Sequence, residues 1–266
     1  TISPQLRSVR QMGFQHFFRS LPFLSGITGT AQENRAEFWQ IYRLPVVAMP
    51  THRPCKRLHL PSQLHLTAEQ KWQAIASQAM LIKRQQGALL IGTSSVGDSE
   101  LCAKALDILG LHYSLLNASQ NEQEADIVAS AGSCGSITIA TNMAGRGTDI
   151  KLDADLKKAE GLTVIAAQWA ESRRVDRQLF GRSARQGDKG QVMSIGSLED
   201  ALFKRYLNRL EFSVIKALLM YEPTNKPLNK YLVWRCQNAA EKLYRKQRIR
   251  IFKQEQWKSD NFFTKS

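Results

Sequence analysis

The amino-acid sequence predicts an α/β fold in which a parallel sheet carries helices on both faces. Short β-rich runs alternate with longer helical patterns through the middle of the chain. The eight prolines all lie within positions 4–61 and 223–227, so none interrupts this alternating region. Strands that alternate with helices generally pair in parallel, and the intervening helices then cover the sheet on both sides.

The predicted elements follow one another in a regular order. Short runs rich in β-branched and apolar residues predict strands at 46–49, 88–92, 112–116, 137–141, 162–166 and 191–195. Longer runs with helical periodicity predict helices at 67–84, 96–109, 120–131 and 172–179. Ser95 stands between a strand and a helix, where its side chain is expected to cap the helix.

The carboxyl-terminal segment predicts a long basic helix. Apolar residues recur there at steps of three or four, at Leu228, Leu232, Cys236, Ala239 and Leu243. Residues 226–266 contain 11 Lys or Arg against 3 Asp or Glu, so they hold +8 of the net charge of +14.

The amino-acid composition excludes some classes of protein but does not indicate a single function. A chain of 266 residues with 43% hydrophobic residues can bury a core, which excludes wholesale disorder. The net charge of +14 favours nucleic acid, an anionic membrane surface or phosphate ligands. The four cysteines form no Cys-x-x-Cys pair, so no zinc or other metal site is expected, and scattered thiols are typical of a reducing compartment.

One candidate site follows the predicted strand 137–141. Gly145 and Gly147 allow the backbone to approach a ligand closely, and Arg146 can bind a phosphate. Asp149 can accept hydrogen bonds from a ribose or hold an arginine. The carboxyl end of a parallel strand is where open α/β sheets bind ligands. A tight turn with a buried Arg–Asp pair would explain the same residues equally well.

A second candidate site lies within residues 178–188. Arg182 and Arg185 are three positions apart, so on a helix they share a face. Two guanidinium groups on one face could meet the γ-phosphate of a nucleotide bound by a neighbouring domain. The alternative is an ordinary solvated basic face.

Taken together, the two segments resemble the SecA family, the ATPase motors of bacterial preprotein translocation. Residues 141–150 are similar to helicase motif V of that family, residues 178–188 to motif VI, and residues 26–31 to motif III. Further short stretches also match the sequence pattern of the family: Glu37-Phe38 with Tyr42, Pro50-Thr51 with Arg53-Pro54, 116–118, 171–174 and 197–200. The resemblance runs from about residue 5 to 205.

The resemblance implies a RecA-like fold of the superfamily 2 helicase type and three parts. Residues 1–41 look like the carboxyl-terminal remnant of a first motor domain. Residues 42–212 look like a complete second motor domain. Residues 213–266 look like the start of a helical scaffold, which is basic here.

The resemblance also implies roles for seven residues. As catalytic residues it indicates Arg182, Arg185 and Gln186, the arginines as fingers and the glutamine as a γ-phosphate sensor. As nucleotide-contacting residues it indicates Gly145, Arg146, Gly147 and Asp149. Ala184 stands where the family has glycine, and alanine is tolerated there if the residue is helical.

Parts of the family's ATP site are not in this sequence. No Gly-Lys dipeptide of a phosphate-binding loop occurs, and no acidic Walker B box precedes residues 26–31. ATP and Mg²⁺ are therefore expected to be bound mainly by a first motor domain that this chain lacks. The family is a protein-transporting ATPase, but the chain alone is not expected to hydrolyse ATP.

The family resemblance implies partners and a location. The expected partners are a first motor domain or amino-terminal SecA half, a SecYEG-like translocon and preproteins. An anionic phospholipid surface is a further candidate, and nucleic acid is not expected. The location would be cytoplasmic, peripheral on the inner membrane. Two alternatives stay open: an RNA helicase carboxyl-terminal motor domain, and a non-catalytic SecA-derived interaction module.

Overall fold

The computed structural model describes residues 12–116, 124–141, 149–221 and 226–262. The chain divides into two compact units. One is continuous and spans Pro50–Ala240, and the other combines Thr1–Met49 with Glu241–Ser266.

The continuous unit is built on a parallel sheet. Strands β1 to β7 span Lys56–His59, Gln63–His65, Ala88–Thr93, Ser114–Leu116, Ile137–Thr141, Leu162–Ala166 and Lys189–Ser197. The order is β1-β7-β6-β3-β5-β4, with β2 also beside β7, and all of these pairings are parallel. Strands 137–141 and 162–166 have the predicted bounds, and the parallel sheet is confirmed.

Ten α-helices and one short 3₁₀ helix are present in the described part of the chain. Helices α1 to α10 span Phe14–Arg19, Arg35–Tyr42, Ala68–Arg84, Val96–Ile108, Glu124–Ser130, Ala154–Lys158, Arg173–Phe180, Ala201–Tyr206, Arg209–Tyr221 and Lys226–Phe262. The 3₁₀ helix is Gln32–Asn34. The Ser95 side chain caps α4 as expected, because its Oγ accepts the amide of Asp98 at 3.1 Å.

The sheet carries helices on both faces. Successive residues of a strand point to opposite faces, so Leu89 and Ile91 of β3 pack with α3 and α4 on one side. Ala88 and Leu90 lie in a second cluster on the other side, which includes residues of α5 and α6 and is joined by the end of α7. The predicted doubly covered sheet is therefore confirmed.

The predicted strand 46–49 is wrong. Residues 43–55 contain neither helix nor strand, and the sheet takes β1 and β2 from the segment that follows. Val47 is 74% exposed and Met49 is 82% exposed, so these apolar side chains have no core to enter. Pro45 and Pro50 flank the segment, and a proline cannot donate to a strand ladder.

A third cluster joins α8, α9 and the first part of α10 in the continuous unit. Leu232 and Cys236 are buried in it, as the predicted apolar stripe requires. The long basic helix is thus confirmed for the described residues, although Leu243 at the end of the stripe is 43% exposed. Residues of α10 from Glu241 onward belong to the other unit.

The second unit contains α1, α2 and the distal part of α10. Arg248 on α10 forms a two-pronged ion pair with Glu37 on α2, in which Nη2 lies 2.7 Å from Oε2. The guanidinium of Arg19 lies over the ring of Phe252 at 5.2 Å. The assignment of 1–41, 42–212 and 213–266 to three functional parts stays a prediction.

Candidate functional site

The two predicted arginines lie in a turn that joins α7 to β7. Helix α7 ends at Phe180, and the amides of Arg182 and Ser183 then bond to Leu179 and Phe180 in single turns. The expectation that Arg182 and Arg185 share a helix face is therefore wrong, because both lie beyond the end of the helix. They share residues 181–188, called the 181–188 turn below.

Left-handed residues give the 181–188 turn its shape. Ala184 has φ 55°, Gln186 has φ 54° and Gly187 has φ 85°. Ala184 is therefore not helical, so the condition under which alanine is tolerated there is not met. A residue with a side chain is strained in the left-handed region, so contacts from the surrounding structure must hold Ala184 and Gln186 there.

Arg185 and Asp149 form the centre of the candidate site. The Arg185 Nη1 lies 2.7 Å from the Asp149 Oδ1, and the Arg185 Nε donates to the carbonyl of Gly181 at 2.9 Å. The Arg185 side chain is 40% exposed and that of Asp149 is 45% exposed. The fold thus brings together one residue from each predicted segment at a place that solvent reaches.

The 181–188 turn lies beside the amino ends of the parallel strands β6 and β7. The buried Ser183 hydroxyl donates to the carbonyl of Leu162, the first residue of β6, at 2.8 Å. A Cβ added to Gly190, near the start of β7, would lie only 2.1 Å from the same hydroxyl. The sequence analysis expects a ligand at the carboxyl ends of the strands, whereas Asp149 pairs with Arg185 of this turn, which lies beside the amino end of β6.

Of the other five predicted site residues, two are among the residues that the structure describes and three are not. Arg182 and Gln186 lie in the 181–188 turn with Arg185. Gly145, Arg146 and Gly147 lie outside the residues that the structure describes.

Two further arginines contact the turn and were missed in the sequence. Arg57 on β1 donates from Nη2 and Nε to the carbonyl of Ser183, at 2.9 Å and 3.3 Å. Arg53 donates from Nη1 to the carbonyl of Gln186 at 3.1 Å. Arg53 stands in a stretch similar to the SecA family, which was a usable signal, whereas no pattern in the sequence marks Arg57.

His59 belongs to the same neighbourhood. Its ring meets Phe180, the last residue of α7, edge to face with centroids 6.1 Å apart. Burial lowers the pKa of His59 below its usual value, and the positive charge of Arg57 lowers that pKa further. The charge of Arg57 thus acts on His59, whose ring packs against the last residue of α7.

At the carboxyl ends of the parallel strands, the surrounding residues differ from those of the 181–188 turn. A cavity of about 250 Å³ lies there, lined by the end of β3, by the segment after β6 and by α7 and α8. Its carboxylates are engaged: Asp176 accepts the amide of Ala170 at 2.9 Å, and Glu171 pairs with Arg205 at 2.6 Å. No lysine or arginine is among the described residues that line this cavity. An anionic ligand therefore has less to bind here than at the 181–188 turn.

Within the described ranges, no three or more His, Cys, Asp or Glu residues cluster in a way that could hold a metal ion. None of the helices in those ranges combines the length and the apolar character needed to cross a membrane.

Comparison with known proteins identifies the family. The family model described as the SecA P-loop domain matches residues 54–160 and 153–222, which is more than half of the chain. The chain belongs to the SecA family. The match includes the 181–188 turn, Asp149 and β1 from Lys56 onward, so the candidate site lies inside the SecA domain.

Curated SecA relatives are similar over most of this chain. Protein translocase subunit SecA 2 of Bordetella avium is 46% identical over 212 residues, which are 80% of this chain and 32% of that protein. Protein translocase subunit SecA of Porphyromonas gingivalis is 46% identical over 72% of this chain and 17% of that protein. This SecA-family chain therefore spans about a third or less of the length of these relatives.

Solved structures of other proteins resemble this chain only distantly. The E. coli DEAD-box protein SrmB, bound to regulator of ribonuclease activity A, aligns with a TM-score of 0.43 and 19% identity. The alignment covers 59% of this SecA-family chain and 88% of that chain. A likeness of this size does not bear on function.

Proposed function

We propose that this SecA-family chain supplies the second half of an ATP site in a motor for preprotein translocation across the bacterial inner membrane. The observation that carries the proposal is the exposed Arg185 guanidinium, held by Asp149 on a turn that also carries Arg182. In this proposal the segments 141–150 and 178–188 act as motifs V and VI of the motor.

The residues present fit a nucleotide phosphate. A guanidinium has five N–H donors in a planar fork that matches phosphate oxygens. The described bonds of Arg185 use Nε and one hydrogen of Nη1, which leaves further donors for an anion. Asp149, at 45% exposure, can keep the arginine oriented or accept hydrogen bonds from a ribose.

Arg182 and Arg185 would act on charge rather than on covalent bonds. ATP, when bound with Mg²⁺, supplies a phosphoryl group whose transfer builds negative charge on its oxygens. Arginines placed beside those oxygens stabilise that charge, and Gln186 would respond to the presence of the γ-phosphate. The phosphate-binding loop and the acidic Mg²⁺ ligand would come from a first motor domain.

The proposed partners follow from the family. Relatives with 46% identity are named as protein translocase subunits, which supports a SecYEG-like translocon and preproteins as partners. The net charge of +8 in residues 226–266 suits an anionic phospholipid surface as a further contact. A cytoplasmic location, peripheral on the inner membrane, is proposed on the same basis.

The decisive experiment measures ATP turnover after this chain is joined to a first motor domain with a phosphate-binding loop. Arg185→Lys keeps the charge but loses the planar fork, so turnover should fall by roughly 10³ to 10⁵. Nucleotide affinity should change much less, because most ground-state contacts would lie on the first motor domain.

Arg205→Lys is the matched control, since Arg205 is also an exposed arginine paired with a carboxylate. Equal turnover in the joined protein and both variants would show that the 181–188 turn is only a solvated basic surface. The chain without the first motor domain should show no turnover in the same assay.

A further inference from the structure

We propose that Arg57, assisted by Arg53, is a positioning residue that holds the Arg185 guanidinium in place through the backbone on either side of it. The inference rests on the proposed role of Arg185 at a nucleotide. It assigns to β1 and the segment before it a part in the same site.

The contacts are placed around Arg185. The carbonyl that Arg57 binds belongs to Ser183, two residues before Arg185, and the carbonyl that Arg53 binds belongs to Gln186, one residue after it. Arg57 uses two nitrogens of one planar group on a single oxygen. Hydrogen bonds from charged donors are stronger than neutral ones, so these contacts can fix the orientation of the peptide groups.

The turn needs such support because its own backbone is strained. Ala184 and Gln186 are both left-handed, and each costs energy relative to the usual regions. The Ser183 hydroxyl anchors one end of the turn on β6, but no backbone ladder reaches the residues that follow it in the described structure. External donors to the flanking carbonyls therefore stabilise this conformation over the alternatives.

The sheet fixes where Arg57 can act. In the parallel pairing of β1 with β7, Arg57 stands opposite Gly190. Gly190 in turn lies against Ser183, close enough that an added Cβ would collide with the Ser183 hydroxyl. Strand register thus delivers the Arg57 guanidinium to the Ser183 carbonyl, and a shift of register would remove it.

The first test uses this chain without nucleotide and follows amide hydrogen exchange. The Asp188 amide donates to the Arg185 carbonyl at 2.9 Å and reports on the closure of the turn. Arg57→Gln should speed exchange at Asp188 by about tenfold, as loss of a charged hydrogen bond implies. Arg57→Lys, which keeps one donor, should have a smaller effect. Lys56→Gln makes the same charge change one residue away and should leave the exchange rate unchanged.

The second test uses the chain joined to a first motor domain. Arg57→Gln should lower turnover by about 10- to 100-fold, the scale expected for a small misplacement of a catalytic group. The KM for ATP should stay within about twofold, because Arg57 would not touch the nucleotide. In an Arg185→Lys background, Arg57→Gln should cost clearly less turnover than it does alone, because the part of its effect that acts through Arg185 is already lost.

The outcomes separate the two proposals. Full additivity of the two substitutions, or unchanged exchange and turnover in Arg57→Gln, would overturn the role of Arg57. If Arg185→Lys alone leaves turnover intact, the proposed function fails, whereas the exchange data still decide whether Arg57 holds the turn. If Arg57→Gln does not fold, Arg57→Lys decides: turnover and exchange equal to those of the unsubstituted protein would contradict the inference.

Discussion

Two ion pairs with the same 2.7 Å separation stand at different places in the continuous unit. Lys71 and Asp200 join α3 to the start of α8, and their side chains are 3% and 5% exposed. Arg185 and Asp149 join the 181–188 turn to the segment before α6, and their side chains are 40% and 45% exposed. Distance alone would give the two pairs the same role, whereas their surroundings do not.

The buried pair is fully engaged inside the protein. Asp200 also accepts the amide of Ser197 at 2.8 Å and its hydroxyl at 3.1 Å, and the Lys71 ammonium lies over the ring of Trp72 at 4.2 Å. Such a network holds elements together and leaves little for a ligand. The exposed pair contributes little to stability, so its geometry is available for function. Exposure and remaining donors, rather than closeness, therefore distinguish a pair that is open to a ligand from a structural one.

The largest expected effect on stability comes from Asp200→Asn. The substitution keeps the shape but leaves the Lys71 charge buried without its partner, which should lower the free energy of unfolding by roughly 3–5 kcal/mol. Asp149→Asn makes the same change in the exposed pair and should cost less than about 1 kcal/mol. Urea unfolding of the two variants measures both values. Similar losses in the two would erase the distinction drawn between the pairs.

Gly190→Ala tests the packing under the 181–188 turn. The new Cβ would lie 2.1 Å from the Ser183 hydroxyl and 2.7 Å from the Ala184 amide nitrogen, so backbone must shift. We expect a loss of about 1–3 kcal/mol in the free energy of unfolding.

Gly97→Ala is the control for Gly190→Ala. A Cβ at Gly97, in the first turn of α4, would meet only the Ser95 hydroxyl at 3.9 Å. Alanine there should be neutral or stabilising by less than about 1 kcal/mol. Equal thermal melting of the two variants would mean that the turn adapts to the added carbon without cost.

The sequence predicted the sheet well because its central strands are short β-rich runs between helical patterns. β5 and β6 have the predicted bounds for that reason. Strands β1 and β2 were missed because neither is a run of apolar residues: Lys56 and His59 of β1 are polar and exposed, and Leu64 of β2 stands between two polar residues. Local composition therefore identified the apolar runs, including the edge strand β4, and missed the two strands whose residues are mostly polar.

The sequence singled out Asp149 and Arg185, which lie together in the structure, but it did not predict the shape of the 181–188 turn. Asp149 can accept hydrogen bonds from a ribose or hold an arginine, and in the structure it pairs with Arg185. The sequence did not predict the conformation of the 181–188 turn, because that conformation is set by contacts distant in sequence. Ser183 bonds to Leu162 and Arg57 bonds to Ser183 across 126 residues, and a single sequence does not display such contacts.

Ala184→Gly should stabilise the chain. Glycine adopts the left-handed conformation at no steric cost, whereas alanine is strained there, so the gain should be about 0.5–1 kcal/mol after the larger entropy loss of glycine. Ala103→Gly, in the interior of α4, is the matched control and should cost about 1 kcal/mol. A loss at both positions in urea unfolding would indicate that Ala184 is not strained in solution.

The smallest expected effect concerns the pKa of His59. Burial lowers this pKa from the ordinary value of 6.5, and the charge of Arg57 lowers it further. Because the folded pKa lies below the unfolded one, the neutral ring favours folding above pH 6.5, and that contribution is lost as the pH falls through the folded pKa. Arg57→Gln removes the charge but not the burial, so it should raise the pKa of His59 without restoring the ordinary value.

His65 on β2 serves as the internal control, since burial alone lowers its pKa. Proton NMR titration of the two imidazole rings resolves the shift. An equal change at His59 and His65 would show that Arg57 does not act on the neighbourhood of the 181–188 turn specifically.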